Sequence, residues 1–444
     1  MKILKWSVIL LALLLAGMAM VPMVSAANVR SSHDILGMKW FKDTPTMTAN
    51  AVGIDRSTVS EYALVTVDSK GFMKDADTNH VASFSIGGKE YQIHLEEVPL
   101  PLDKNAKLIV RTEKGISTEN IPMIKQYRGK IIRGGTGDAF FTVDDKVLLG
   151  KISVGNETYA IEERGLDKDG NVIHMIYNQK YEIAPKVPVD GNDIWFDSPL
   201  KNVSVQKVSS TGNSAAVAAS TQTVDIMLVY DPQFHNLYPS TSSAEVLNML
   251  SQASTAFSRS DVGVNFNVMA IVSDTNFVNS NPTDLGVEFV TRDSGLKAQY
   301  RCDLAFLFTG KNLAGNTVGL GQMYTGSESY SYALAQMVSK PGTSYTASST
   351  QRSLEVAHEI GHNFGAAHDG MPASAYGPPF NVPTWARPTS WATGTKFTVM
   401  NPTISDNVNM EFSTSSWILG AHGDSTHDNA QRITQTKATV AAFY

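Results

Sequence analysis

Three histidines, a glutamate and a glycine fall within eleven residues, His358-Glu359-Ile360-Gly361-His362-Asn363-Phe364-Gly365-Ala366-Ala367-His368. No other stretch says as much about the path this chain must take. On a helix, His358 and His362 are one turn apart and project from the same face. Gly365 can adopt a left-handed backbone, which ends the helix and turns the chain, so that His368 swings back toward the first two. Two imidazoles so placed can grip one Zn²⁺, with His368 as a third ligand, and Glu359 is in reach of a zinc-bound water. Three protein ligands plus water is the open arrangement of a catalytic zinc, not the closed set of a structural one. Five fixed positions at about one in twenty each match by chance in roughly 10⁻⁴ of chains of this length. The bland alternative is an amphipathic helix carrying surface histidines. It fits poorly, because three of only ten histidines lie in this one segment.

Length and charge narrow the setting. The chain has 444 residues, too many for one ordinary core and enough for two domains with appendages. Its net charge is −6, and from Gln222 onward 11 Lys+Arg stand against 17 Asp+Glu, which accounts for all of it. Nucleic acid is therefore not an expected partner, since phosphate binding needs basic surface. The start reads as a cleavable secretory signal over residues 1–26. Lys2 and Lys5 form a positive region, an apolar run follows from Trp6 to Met20, and Val24-Ser25-Ala26 supplies small residues for cleavage. The run is short for a membrane span of about 20 residues and no second one follows, so a secreted chain with no span after cleavage is expected, with an uncleaved membrane anchor as the alternative. The single cysteine, Cys302, excludes an internal disulfide and reads as a small buried hydrophobe. Stability must come from core burial and bound ions, with structural Ca²⁺ a candidate beside Zn²⁺. A bacterial or archaeal exported protein fits this composition better than a disulfide-laced animal ectodomain.

Residues 27–200 read as a β-rich domain. Strands at 82–86 and 90–95 flank Gly87-Gly88, strands at 140–143 and 146–152 flank Asp144-Asp145, and another strand follows at 157–162. His80, His94 and His174 are scattered in this half and read as plain surface or sheet residues. Residues 201–222 are small and polar with no aromatics, a linker composition. Residues 223–444 alternate strands (223–230, 264–272, 303–308) with helices (244–259, about 353–363, about 429–442), the pattern of an α/β layer with the histidine helix packed on a sheet.

These motifs resemble the metzincin zinc endopeptidases. Met400, 32 residues beyond His368 in Phe397-Thr398-Val399-Met400-Asn401-Pro402, stands where that family carries its Met-turn. Gly361-His362-Asn363, Gly365, His368-Asp369 and Met400-x-Pro402 are most similar to the reprolysin (adamalysin) group. So are Asp303-Leu304-Ala305, Phe308-Thr309-Gly310, Glu411-Phe412-Ser413 and Asp428-Asn429-Ala430. The resemblance implies an α/β metzincin catalytic domain with a mixed, mostly parallel sheet, long helices and a zinc cleft, preceded by a β-rich prodomain. It implies Zn²⁺ on His358, His362 and His368, catalysis by Glu359, and structural roles for Gly365, Asp369, Met400 and Pro402, with Asp369 hydrogen-bonding near the Met-turn. It also implies that Thr317, Val318, Gly319, Leu320 and Gly321 lie along the edge strand that holds a protein or peptide substrate. Oligomeric state and peptide specificity are left open. More faintly, the first half resembles a reprolysin propeptide, so a zymogen is expected. That group often keeps itself latent with a propeptide cysteine, and this chain has proline in its place within Ala184-Pro185-Lys186-Val187-Pro188-Val189-Asp190. Asp190 and Asp138 are the carboxylates considered for that task. The chain ends at Tyr444 without the disintegrin modules of many relatives, so no adhesive role is expected. A non-catalytic binding protein that kept the metzincin fold is the alternative reading.

Overall fold

A computed structural model describes residues 28–44, 58–183, 193–196, 220–338, 347–369, 371–391, 396–401, 408–415 and 422–444. The signal segment, most of the linker, Asp190 and Pro402 lie outside them.

In the first half, alternating side chains build an antiparallel sheet with one buried face. Val81–Ile86 pairs with Lys89–Val98, with Ile86 opposite Lys89. Both turn glycines take positive φ, 53° at Gly87 and 81° at Gly88, the turn whose twist suits a two-residue hairpin. Gly137–Val143 pairs with Leu148–Val154, which pairs with Glu157–Leu166. A helix, Ser69–Asn79, was not foreseen. It is capped by Asp68, whose side chain accepts from Gly71 N–H. It buries Phe72 edge-on against Trp40 and Phe141, at centroid distances of 5.0 and 5.1 Å. His174 is buried in the sheet and accepts from Leu148 N–H at 3.1 Å, and burial pushes its pKa down to about 3. It is thus a core histidine, bonded through Nε2 alone, with Nδ1 buried and without a partner.

The second sheet runs in the order Ile194–Trp195, Gly319–Gln322, Tyr332–Gln336, Leu304–Thr309, Gln222–Tyr230, Val264–Asp274, Leu102–Thr112, Gly115–Glu119. Its centre is parallel and its strands are buried runs such as Leu304–Thr309, as parallel sheets require. Gly319–Gln322 runs antiparallel to Tyr332–Gln336. The helices Ser242–Arg259 and Ser349–Asn363 pack on the sheet, and Asn429–Val440 follows near the end of the chain. The helix Pro282–Gln299 and the strand Tyr332–Gln336 were not anticipated. The helix buries Gly286, Asp293 and Lys297 along with Leu285 and Phe289, and those polar and small residues blur the apolar stripe that would have announced it.

Both edges of this sheet are completed by chain from before residue 200. On one side, Leu102–Thr112 lies parallel to Val264–Asp274. Arg111 reaches across that seam to Asp274 at 3.1 Å and Asp293 at 2.8 Å, both fully buried, while Arg292 clamps Asp274 through two bonds of 2.8–2.9 Å. The first half also holds the start of the histidine helix. Glu162 accepts from Ser349 N–H at 2.8 Å, and the fully buried Arg352 lies 3.5 Å from Glu162 and 3.7 Å from Glu245.

Candidate metal centre

The histidine helix begins four residues earlier than the spacing suggested. Ser348 and Gln351 form a reciprocal capping box, so the helix starts at Ser349. It ends as expected: Gly365 takes φ 87°, its N–H donates to His362 C=O at 2.9 Å, and Ala366 N–H donates to Gly361 C=O at 3.0 Å. The returning segment is held by Asn429. Its side chain accepts from Ala367 N–H and donates to Ala367 C=O, at 2.9 and 3.2 Å, which sets His368 in place. Asn363 ties the helix end to the sheet by donating to the carbonyls of Gln322 and Tyr332.

The three histidines converge. Their ring centroids lie 4.8–5.0 Å apart. His358 Nδ1 bonds Val399 C=O at 2.8 Å and His362 Nδ1 bonds Ala366 C=O at 2.9 Å. These carbonyls fix Nδ1 as the protonated nitrogen and leave the Nε2 lone pairs pointing inward. His362 Nε2 is buried without a hydrogen bond, and His368 Nε2 and His358 Nε2 face each other at 2.8 Å. Such inward lone pairs without protons to receive are what a Zn²⁺ ion would satisfy, so the residues fit the metal.

A fourth donor that the sequence reading missed joins them. Asp193 is buried, with Oδ2 3.3 Å from His358 Nε2 and Oδ1 3.9 Å from His362 Nε2 and 3.5 Å from His368 Nδ1. One ligand atom from each of Asp193, His358, His362 and His368 fits within 4.8 Å of all the others. Burial alone would raise the Asp193 pKa, but the surrounding His368, His358 and His362 rings hold it well below the usual carboxylate range. Of the two carboxylates considered for this task, Asp138 is exposed on its strand opposite Lys130 and is no part of the cluster, while Asp190 is outside the described residues. The missed signal was an acid followed directly by Ile194-Trp195-Phe196 in an otherwise polar stretch.

Glu359 is wholly buried and neither carboxylate oxygen has a hydrogen bond. Burial, and then the charges of Asp193 and Glu355, push its pKa well above the ordinary value. Gly319 and Gly321 lie against it: a Cβ on Gly319 would come within 2.1 Å of Glu359 Oε1, and one on Gly321 within 2.6 Å of the Glu359 carbonyl. Only a strand without side chains there can run this close to the helix. Of the residues expected on the edge strand, Gly319, Leu320 and Gly321 are within it, while Thr317 and Val318 immediately precede it.

Met400 is fully buried below the helix, and a Cβ on Gly361 would lie 2.7 Å from its Sδ. The Met400 turn therefore needs glycine at 361 to approach. Asp369 departs from expectation. It is exposed, and its carboxylate faces Arg387 at 3.9 Å instead of bonding at the Met400 turn. His422 pairs with Glu411 and His427 with Asp424, and neither joins the centre. Cys302 is buried, and burial raises its thiol pKa to about 12. Among the described residues, no helix is long and apolar enough to cross a membrane.

Histidine cluster, adjacent glutamate and sheet-packed helix together define a metallopeptidase-type domain. Residues 220–413 match a reprolysin-type family model described as metallo-peptidase family M12. Among solved structures, the chain is similar to metalloproteinase-II from Bacteroides fragilis, at 10% identity and TM-score 0.40, over 76% of this chain and 89% of that one. It is also similar to a chain in a chaperone–substrate complex, at 12% identity and TM-score 0.38, over 50% of this chain and 35% of that one.

Proposed function

We propose that this protein is an exported zinc endopeptidase of metzincin, reprolysin-like type, made as a zymogen. The observation that carries the reading is the convergence of His358, His362 and His368, their Nδ1 atoms committed to carbonyls where partners are seen, beside the unpaired carboxylate of Glu359. Bound Zn²⁺ would supply a Lewis acid and an acidified water. His358, His362 and His368 would hold it as neutral imidazoles. Glu359 would take the proton of the attacking water and deliver it to the leaving amine. Once Ile194–Trp195 has left it, Gly319–Gln322 would pair through its main chain with an extended peptide, adding it to the sheet as a further strand. Met400 and Val399 support the centre from below, the latter by orienting His358. No nucleophilic side chain is required.

The test is cleavage of casein by the processed protein with and without a chelator, followed by zinc restoration. Cleavage that disappears with chelation and returns with zinc supports the reading. No cleavage by the zinc-loaded, processed chain favours a non-catalytic binding protein instead. N-terminal sequencing of the secreted form tests the zymogen, which predicts a start between about residues 200 and 223.

A further inference from the structure

The edge strand that should receive substrate is already covered by this chain itself. Ile194–Trp195 pairs parallel to Gly319–Gln322, with Ile194 opposite Gly321 and Trp195 opposite Gln322. Gly321 N–H donates to Asp193 C=O at 2.9 Å and Met323 N–H donates to Trp195 C=O at 3.2 Å. These are the main-chain groups through which strand addition captures a peptide.

The side chains are seated as firmly as the backbone. Trp195 is buried over Gly286, where even a Cβ would come within 2.9 Å of the indole. On the other face, Phe196 packs edge-on against Phe380 at a centroid distance of 4.9 Å, and with Ile194 it covers the apolar cluster around Met371, Ala375 and Val382. Asp193, at the head of this segment, puts its carboxylate among the three histidines at 3.3–3.9 Å, with Oδ1 buried and accepting no hydrogen bond. A chain merely passing the cleft would not bury a carboxylate there without a proton donor or a cation to satisfy it.

We propose that Asp193–Phe196 is a built-in inhibitor of the cleft: the Asp193 carboxylate is the fourth ligand of the metal, and the Ile194–Trp195 backbone occupies the place of an extended substrate. A carboxylate in that position closes the open coordination site on which a zinc peptidase depends, and Glu359 is wholly buried against Gly319 and Gly321 of the strand that this segment covers. Latency in this chain therefore needs no cysteine. The inference rests on the peptidase reading, since both place a metal on the same histidines.

The experiment uses the full chain carrying Glu359→Ala, so that it cannot process itself, loaded with Co²⁺ in place of zinc. Visible absorption reports the cobalt coordination, and titration with a small hydroxamate reports access to the fourth position. Adding Asp193→Ala is expected to alter the cobalt spectrum and tighten hydroxamate binding by roughly 100-fold, the factor set by a site open in only about one chain in a hundred. Circular dichroism and thermal unfolding establish that the variant is folded. If Asp193→Ala does not fold, Asp193→Asn, which keeps the shape, carries the same expectation. A spectrum and hydroxamate affinity unchanged by either substitution, in chains that bind cobalt, overturn the inference and leave the peptidase reading intact. Absence of cobalt binding in all of the folded chains overturns both.

Discussion

The two edges of the second sheet are both covered by the first half of the chain, yet they are built on different principles. At the far edge, the eleven-residue strand Leu102–Thr112 is stitched to Val264–Asp274 and locked by Arg111 between two buried aspartates. At the cleft edge, Ile194–Trp195 is two residues long and attaches to the edge-strand side through the Gly321 and Met323 amides. The first is a seam that holds the halves together. The second is a short plug whose specific content is one carboxylate aimed at the histidines. A long seam and a short plug have different free energies of opening, and that difference allows a cleft to be uncovered without unfolding the protein.

Breaking the seam should have the largest effect. Arg111→Ala strands Asp293, whose pKa burial already pushes to about 7, and removes one partner of Asp274. Loss of one member of such a buried ionic cluster costs about 3–5 kcal/mol, to be read from urea unfolding of the full chain. The ionic contact at the start of the histidine helix comes next. Glu245 is buried with both oxygens lacking hydrogen bonds, and burial raises its pKa to about 7 despite the nearby Arg352. A carboxyl whose folded pKa is raised stabilises fully below its unfolded pKa, and that contribution is lost as pH rises through about 7. Glu245→Gln should therefore match the parent near pH 4.5 and gain on it as pH rises to 8, by on the order of 3 kcal/mol. Thermal unfolding across that range measures the gain, and a constant difference between the two proteins would remove the pH argument. Gly361→Ala sharpens the comparison from below the cleft. The added methyl meets Met400 Sδ, and overpacking of this kind costs about 1–3 kcal/mol, with lowered zinc affinity because Met400 and Val399 move together. The smallest perturbation changes no residue. In hydrogen exchange, the amides of Gly321 and Met323 should exchange by local opening, roughly a hundredfold or more faster than Val268 N–H, which is bonded to Pro101 C=O beside the seam. Equal protection would mean that plug and seam open together.

Much of the centre was legible because its residues are local. Helix, glycine stop and returning histidine are fixed by spacing alone, and Met400 by its short motif. Gly87-Gly88 gave its hairpin for the same reason: a two-residue turn needs positive φ and glycine supplies it. What the sequence hid was non-local. Nothing in Leu102–Thr112 announces that it pairs with a strand about 160 residues away rather than with the sheet around it, because strand order is decided by packing. Asp193 was hidden similarly. It lies 165 residues before His358, and three acids upstream of the linker look alike until the fold shows which one reaches the histidines. Asp369 failed in the opposite way. A local neighbour of His368 was expected to support the site, and the turn instead carries it to solvent.

The most direct test of the central claim compares the processed protein with its Glu359→Gln form, measuring zinc content and the rate of casein cleavage on the same samples. One zinc per chain in both, with cleavage lowered by about 10²–10⁴-fold in the variant, is the predicted result. A variant that holds zinc and cleaves at the parent rate would contradict the assignment of Glu359 and of the chemistry built on it.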